Sequence, residues 1–97
     1  MKLTNSFVYI MSNKNRTTFY IGVTNNLERR VKEHVSGFGS IFTSKYKLFD
    51  LVYYEIISDI EAAIRREKQL KRWHKDWKIN LIKTLNADLV NLAQDWE

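Results

Sequence analysis

The sequence has no cysteine and no proline, only three glycines, and two histidines among 97 residues. The missing cysteine excludes disulfides and thiolate metal sites. With His34 and His74 alone, a histidine-built zinc centre is not expected. No apolar run approaches the roughly 20 residues that span a bilayer, and Met1-Lys2-Leu3-Thr4-Asn5-Ser6 lacks a signal-peptide core. These absences lead to the expectation of a cytoplasmic protein with no membrane partner. No repeat, low-complexity segment or linker divides the chain, and a single domain over 1–97 is expected.

What is present is hydrophobic and aromatic side chains, at 44% and 13%, and a net charge of +5. The first two mark a globular chain. The third favours a polyanionic partner, nucleic acid first, although a merely basic domain is an equal alternative from net charge alone. The charge is unevenly spread. Arg65, Arg66, Lys68, Lys71, Arg72, Lys75, Lys78 and Lys83 face only Glu61, Glu67 and Asp76 within the same stretch, whereas the last eleven residues are acidic.

Phe7–Met11 and Thr18–Val23 read as two strands of an antiparallel hairpin, joined by a polar turn over Ser12–Thr17. Thr24-Asn25-Asn26 offers caps for a helix through about Val35. Ser36–Lys47 reads as a long loop and Leu48–Ile57 as a third strand. Ser58-Asp59-Ile60-Glu61 matches a capping box that opens a helix to about Arg72. Lys75–Leu85 forms a further helix, and the tail one short helical turn. The expected fold is α+β, a three-stranded antiparallel sheet flanked by helices in the order β-β-α-β-α-α.

Several polar residues fall where apolar ones belong. On a helical wheel Ile60, Ala63, Ile64 and Leu70 share a stripe, with Glu67 in its middle. A buried carboxylate needs a partner, either a structural salt bridge or a metal ion. On the preceding helix Arg30 and His34 lie beside the apolar Leu27 and Val31, and Arg29 points away. Arg30 then forms an internal ion pair, with Glu67 or Glu55, or serves a site. His34 is a hydrogen-bonded histidine at the core edge or a member of that site. Tyr9 and Tyr20, one per hairpin strand, can share a sheet face, although most strand tyrosines simply pack. Gly22 ends the second strand, for close backbone approach or an unusual dihedral.

In this order and spacing the residues resemble the GIY-YIG nuclease signature: Phe7-Val8-Tyr9, Tyr20-Ile21-Gly22 eleven residues after Tyr9, Arg30 eight past Gly22, and Glu67 within Arg66-Glu67-Lys68-Gln69-Leu70. The resemblance covers roughly residues 6–83. Leu51–Glu55, Arg66–Trp73 and the His34–Tyr46 segment narrow it to the small stand-alone URI-domain or UPF0213-type branch. Phe7-Val8 replaces Gly-Ile in the first motif, and Val23 stands where DNA-repair members carry lysine. Their asparagine twelve residues after the glutamate corresponds to Ile79, beside Asn80.

The resemblance implies a metal-dependent DNA endonuclease of low sequence specificity, serving repair or recombination. It implies Glu67 as ligand of a single Mg²⁺ or Mn²⁺, Arg30 on the phosphate, Tyr9 as base with Tyr20 second, and His34 assisting. The alternative is a nucleic-acid-binding module without catalysis. Lys45, Lys68, Lys71, Arg72 and Lys75 are the expected backbone contacts. Trp73, Trp77, Phe38 and Phe42 either stack on bases or pack into the core and anchor the loop. DNA, including structured or single-stranded nucleic acid, is the expected partner of a monomer or weak homodimer.

Overall fold

A computed structural model describes residues 5–96. Strands β1 (Ser6–Ser12), β2 (Phe19–Thr24) and β3 (Asp50–Ile57) form an antiparallel sheet in the order β2-β1-β3. Helices α1 (Leu27–Val35), α2 (Ile41–Lys45), α3 (Ile60–Lys71) and α4 (Lys75–Leu85) complete the domain. The architecture is the expected α+β fold with one short helix added. Among the described residues, no helix is long and apolar enough to cross a membrane.

The central strand explains the layers. Val8 and Ile10 pack with Ile21, Val52, Tyr53, Ala63, Leu70 and Ile82 on the face that carries α3 and α4. Tyr9 and Met11 point the other way, into a second core with Leu27, Val31, Leu48 and Leu51 under α1. Because β1 is covered on both faces, its sequence is continuously apolar rather than alternating. A bulge interrupts the β1–β3 register: Ile10 pairs with Tyr53 but Met11 with Leu51. Val52 is left without a β1 partner, and its carbonyl accepts from the buried Asn86 side chain at 3.0 Å.

Five local expectations change. The Ser36–Lys47 segment contains α2, because Ser40 accepts a hydrogen bond from the Thr43 amide and caps one helical turn. Asp59, not Ser58, caps α3, through the Glu61 amide at 3.1 Å. The third strand begins at Asp50, with Leu48 buried ahead of it. Only half of the α3 stripe is covered: Ala63 and Leu70 are fully buried, whereas Ile60 and Ile64 remain exposed. The tail forms turns without a helix. It follows the outer side of β3, where the Leu92 amide donates to the Leu51 carbonyl and the Asn91 side chain accepts from the Leu51 amide. That pairing satisfies backbone groups at one sheet edge. The opposite edge strand is β2, which carries Tyr20 and Gly22.

Candidate active site

Gly22 stands opposite Tyr9 in the β1–β2 ladder. A Cβ at residue 22 would lie 2.5 Å from Tyr9 Cζ and overlap its hydroxyl. Gly37 is the glycine with positive φ among the described residues. Close approach, rather than an unusual dihedral, is therefore what position 22 requires: the Tyr9 ring lies across the glycine toward the β2 edge.

There it meets α1. The helix is capped by Asn26, whose side chain accepts from the Arg29 amide, and it buries Leu27, Val31 and His34. This phase turns Arg30 toward the sheet and Arg29 into solvent, with 27% and 62% of their side chains exposed. Arg30 Nε donates to the Tyr9 hydroxyl at 3.4 Å, Nη1 to Glu33 at 2.9 Å, and Nη2 to the Gly39 carbonyl at 2.7 Å. Its ion-pair partner is thus Glu33, not the expected Glu67 or Glu55. Glu33 is three residues along the same helix, whereas Glu55 is already held by two nitrogens of Arg66. A guanidinium has five N–H donors. Three are used, and two are left for a ligand.

His34 is fully buried and engaged on both ring nitrogens, with the Tyr9 hydroxyl 2.8 Å from Nε2 and the Thr43 hydroxyl 3.0 Å from Nδ1. Arg30 can only donate, so Tyr9 oxygen accepts from it and gives its own proton to His34 Nε2. Nδ1 then carries the ring hydrogen and donates it to Thr43, whose hydroxyl donates on to the Ser40 carbonyl. Every member of this chain is satisfied in one tautomer. Burial, reinforced by the Arg30 charge, pushes the His34 pKa down to about 4. The ring is neutral, a hydrogen-bond relay at the core edge.

Tyr9 is 1% exposed, and burial drives its hydroxyl up to about 12, against the opposing pull of Arg30. That environment disfavours the phenolate unless a nearby cation offsets it. Tyr20 is only half-buried, with its ring edge-on to His34 at 5.4 Å and 6.3 Å from Tyr9. Of the two tyrosines, Tyr20 is the one with appreciable access to water.

Glu67 lies on α3, which packs across β1 and β2 on the face opposite α1. It makes no hydrogen bond to the tyrosine–arginine–histidine group. Arg66 is committed to Glu55, and Glu67 pairs with Lys71 at 3.1 Å. Its side chain is 20% exposed and that of Lys71 51% exposed, so the pair is open to solvent and not a sealed internal bridge. Among the described residues no group of three or more His, Cys, Asp or Glu gathers around a point. A cleft of about 780 Å³ opens at the end of β2. Its lining includes Val23, Arg29, Arg30 and Glu33 on one side and Asp59 and Ile60 at the start of α3 on the other. Ser6 and Ser58 also line it, so the cleft lies at the end of the sheet where Arg30 and the start of α3 come together; Tyr20 and Glu67 are not among its lining residues.

The expected backbone contacts Lys45, Lys68, Lys71, Arg72 and Lys75 are all exposed, although Lys71 is engaged by Glu67. Trp73 packs against the α3-side core, but Trp77 is 55% exposed and Phe38 85% exposed, so neither core packing nor loop anchoring describes these two. Thr43, Ser40 and Gly39 were not singled out by sequence reasoning. A Cβ at Gly39 would fall 2.7 Å from the His34 Cα, so the glycine admits the loop against α1. The glycines and hydroxyls of Ser36–Ser44 were the available signal.

Comparison with known proteins shows the family of the chain. Residues 5–80 match the family model described as the GIY-YIG catalytic domain. A UPF0213 protein of Clostridium perfringens is 35% identical over 90 residues, which cover 93% of this chain and 96% of that one. One from Syntrophus aciditrophicus is 33% identical, with coverage of 84% and 93%. The solution NMR structure of the UPF0213 protein BH0048 from Bacillus halodurans superposes with a TM-score of 0.57 at 29% identity, covering 94% of this chain and 97% of that one. With residues 5–80 matched to that family model, the chain belongs to the GIY-YIG catalytic-domain family of nucleases.

Proposed function

We propose that the protein is a metal-dependent endonuclease that hydrolyses phosphodiester bonds in DNA at the β2 edge, with little sequence specificity. The supporting observation is the wiring of Arg30. Its guanidinium is anchored by Tyr9, Glu33 and the Gly39 carbonyl, yet it faces an open cleft with two donors free. A pre-oriented planar cation of this kind suits a phosphate that gains charge in the transition state.

The donor set fits a hard divalent ion. Glu67 offers carboxylate oxygens, partly exposed and paired with the exposed Lys71. One carboxylate suits Mg²⁺ or Mn²⁺, which keep most of their waters and take remaining oxygens from substrate phosphate. Bound there, the ion supplies charge neutralisation at the phosphoryl oxygens and a water of lowered pKa. Lys71 yields Glu67 and turns to the DNA backbone. Arg30 binds the scissile phosphate. Tyr20 orients the attacking water, while Tyr9 and His34 hold Arg30 and Tyr20 in place. Lys68, Arg72 and Lys75 on α3 and α4, with Lys45 on α2, bind flanking phosphates, contacts that position DNA without reading its bases.

Labelled single-stranded, duplex and branched DNA incubated with Mg²⁺, Mn²⁺ or EDTA tests this reading. Cleavage is expected with metal only. Glu67→Gln abolishes it, Arg30→Ala lowers the rate by about 10²–10³, as loss of a transition-state donor does, and Arg29→Ala has a mild effect. Undiminished cutting by both Glu67→Gln and Arg30→Ala defeats the assignment. Tight binding without cutting in any metal identifies an inactive binding module instead.

A further inference from the structure

The segment between α1 and β3 displays its largest side chains to water. Phe38 is 85% and Ile41 89% exposed, values at odds with a loop that merely closes a core. The backbone that carries them is nevertheless pinned to α1. Gly37 takes φ +88°, Gly39 abuts His34, and Ser40 caps α2. Thr43 is fully buried on His34, and Arg30 grips the Gly39 carbonyl. The same two side chains that organise the catalytic group thus hold Phe38 and Ile41 outward. A cleft of about 490 Å³ is lined by Gly37, Phe38, Ser40, Ile41, Ser44 and Lys45.

The surroundings specify an occupant. From Ser36 to Phe49 there is no acidic residue, and Lys45 and Lys47 are present. On its other side α2 continues the aromatic series outward from the site: Tyr20 to Phe42 at 6.3 Å, then Phe42 to Tyr46 at 4.8 Å. Apolar walls beside the Lys45 cation match the alternation of base and phosphate in a nucleic-acid strand. The bases of an intact duplex are stacked and hide their faces, so an unpaired base is what such walls can grip.

We propose that the α2 knuckle is a subsite for an unpaired nucleotide flanking the scissile phosphate, with Phe38 and Ile41 holding the base and Lys45 the adjacent phosphate. The preferred substrates are then single strands and junctions where a duplex opens, rather than uninterrupted duplex. The assignment rests on the nuclease reading for its position beside Tyr20.

The test reads binding rather than cutting. Fluorescence anisotropy in EDTA compares a labelled single strand of mixed sequence with its duplex, for the wild-type chain and for Phe38→Ala/Ile41→Ala. Both positions are exposed, and circular dichroism confirms that the double variant is folded. Single-strand affinity should fall about ten-fold or more, the size of one lost stacking partner, with duplex affinity unchanged within about two-fold. Phe38→Tyr should retain single-strand binding. The proposal is overturned by a wild type without single-strand preference, by equal losses on both DNAs, or by no loss on either. It is likewise overturned if the only change is loss of self-association in sedimentation, which would assign the patch to a second copy of this chain. Failure of the nuclease reading is a separate outcome: normal binding in these arms, but no cleavage with Mg²⁺ or Mn²⁺.

Discussion

Gly22→Ala isolates the packing on which the site depends. The new methyl would sit 2.5 Å from Tyr9 Cζ and 2.9 Å from Cε1. Ordinary carbon–carbon separation is about 3.5–4.0 Å, so the ring has to retreat by about 1 Å. It has little room. Tyr9 is 1% exposed and hemmed in by Tyr20 and His34, with ring centroids at 6.3 and 5.6 Å. Such a shift breaks the 2.8 Å bond to His34 Nε2 and leaves a buried nitrogen without its donor.

Overpacking of this kind costs roughly 1–3 kcal/mol, and the unsatisfied group about 1–3 kcal/mol more. Alanine's reduced freedom in the unfolded chain returns about 0.4–1 kcal/mol. The net loss is then roughly 1–6 kcal/mol, large against the roughly 5–15 kcal/mol that stabilise a domain. Urea unfolding should show a midpoint lowered by about 1 M or more with little change in slope. In a Tyr9→Val background, where the ring is absent, the same substitution should cost far less, a coupling that a double-mutant cycle measures. Gly22→Ala as stable as the wild type, or additive with Tyr9→Val, would refute the close-approach account.

Three further outcomes follow from the same geometry. Tyr20→Phe should remove most cleavage without loss of stability, and Tyr9→Phe should lower stability by about 1 kcal/mol and slow cleavage less; the reverse order in rate assays returns the water-positioning role to Tyr9. His34 titrates near 4 when folded but near its ordinary 6.5 when unfolded. The unfolded chain therefore binds the extra proton, and stability falls by up to about 1.4 kcal/mol per pH unit as pH drops from 6.5 toward 4. Chemical denaturation across that window in wild type and His34→Gln checks this, since the variant should lack that component. Lys68→Ala with Arg72→Ala should reduce the log–log salt slope of DNA binding by about 0.7–0.9 for each phosphate no longer neutralised; an unchanged slope would place the DNA elsewhere than on α3.

The parts of the site that sequence made legible are those governed by helical and strand periodicity. The separation of Arg30 from Arg29 needs only about 100° per residue and the positions of Leu27 and Val31. The pairing of Tyr9 with Tyr20 on one face needs only strand alternation. Periodicity failed where a stripe is apolar but uncovered. Ile60 and Ile64 fit the α3 wheel as well as Ala63 and Leu70, yet they remain exposed because β2 is an edge strand with nothing beyond it. A capping signal was also ambiguous, since Ser58 and Asp59 both precede α3 and only backbone geometry selects Asp59. The α2 turn left no signature because five residues are too few to show a helical period.

The order of elements, the basic surface and the identity of the tyrosine, arginine and glutamate are properties of the chain itself, since composition, spacing and local periodicity encode them. The partners of those residues are not. That Arg30 takes Glu33 and the Gly39 carbonyl, that Arg66 removes Glu55 from the site, that Tyr9 is buried while Tyr20 is not, and that α1 and α3 lie on opposite faces of an open-edged sheet, are decided when distant segments pack. Burial, desolvation and hydrogen-bond competition act between residues far apart in sequence, and only the folded chain fixes which of them wins.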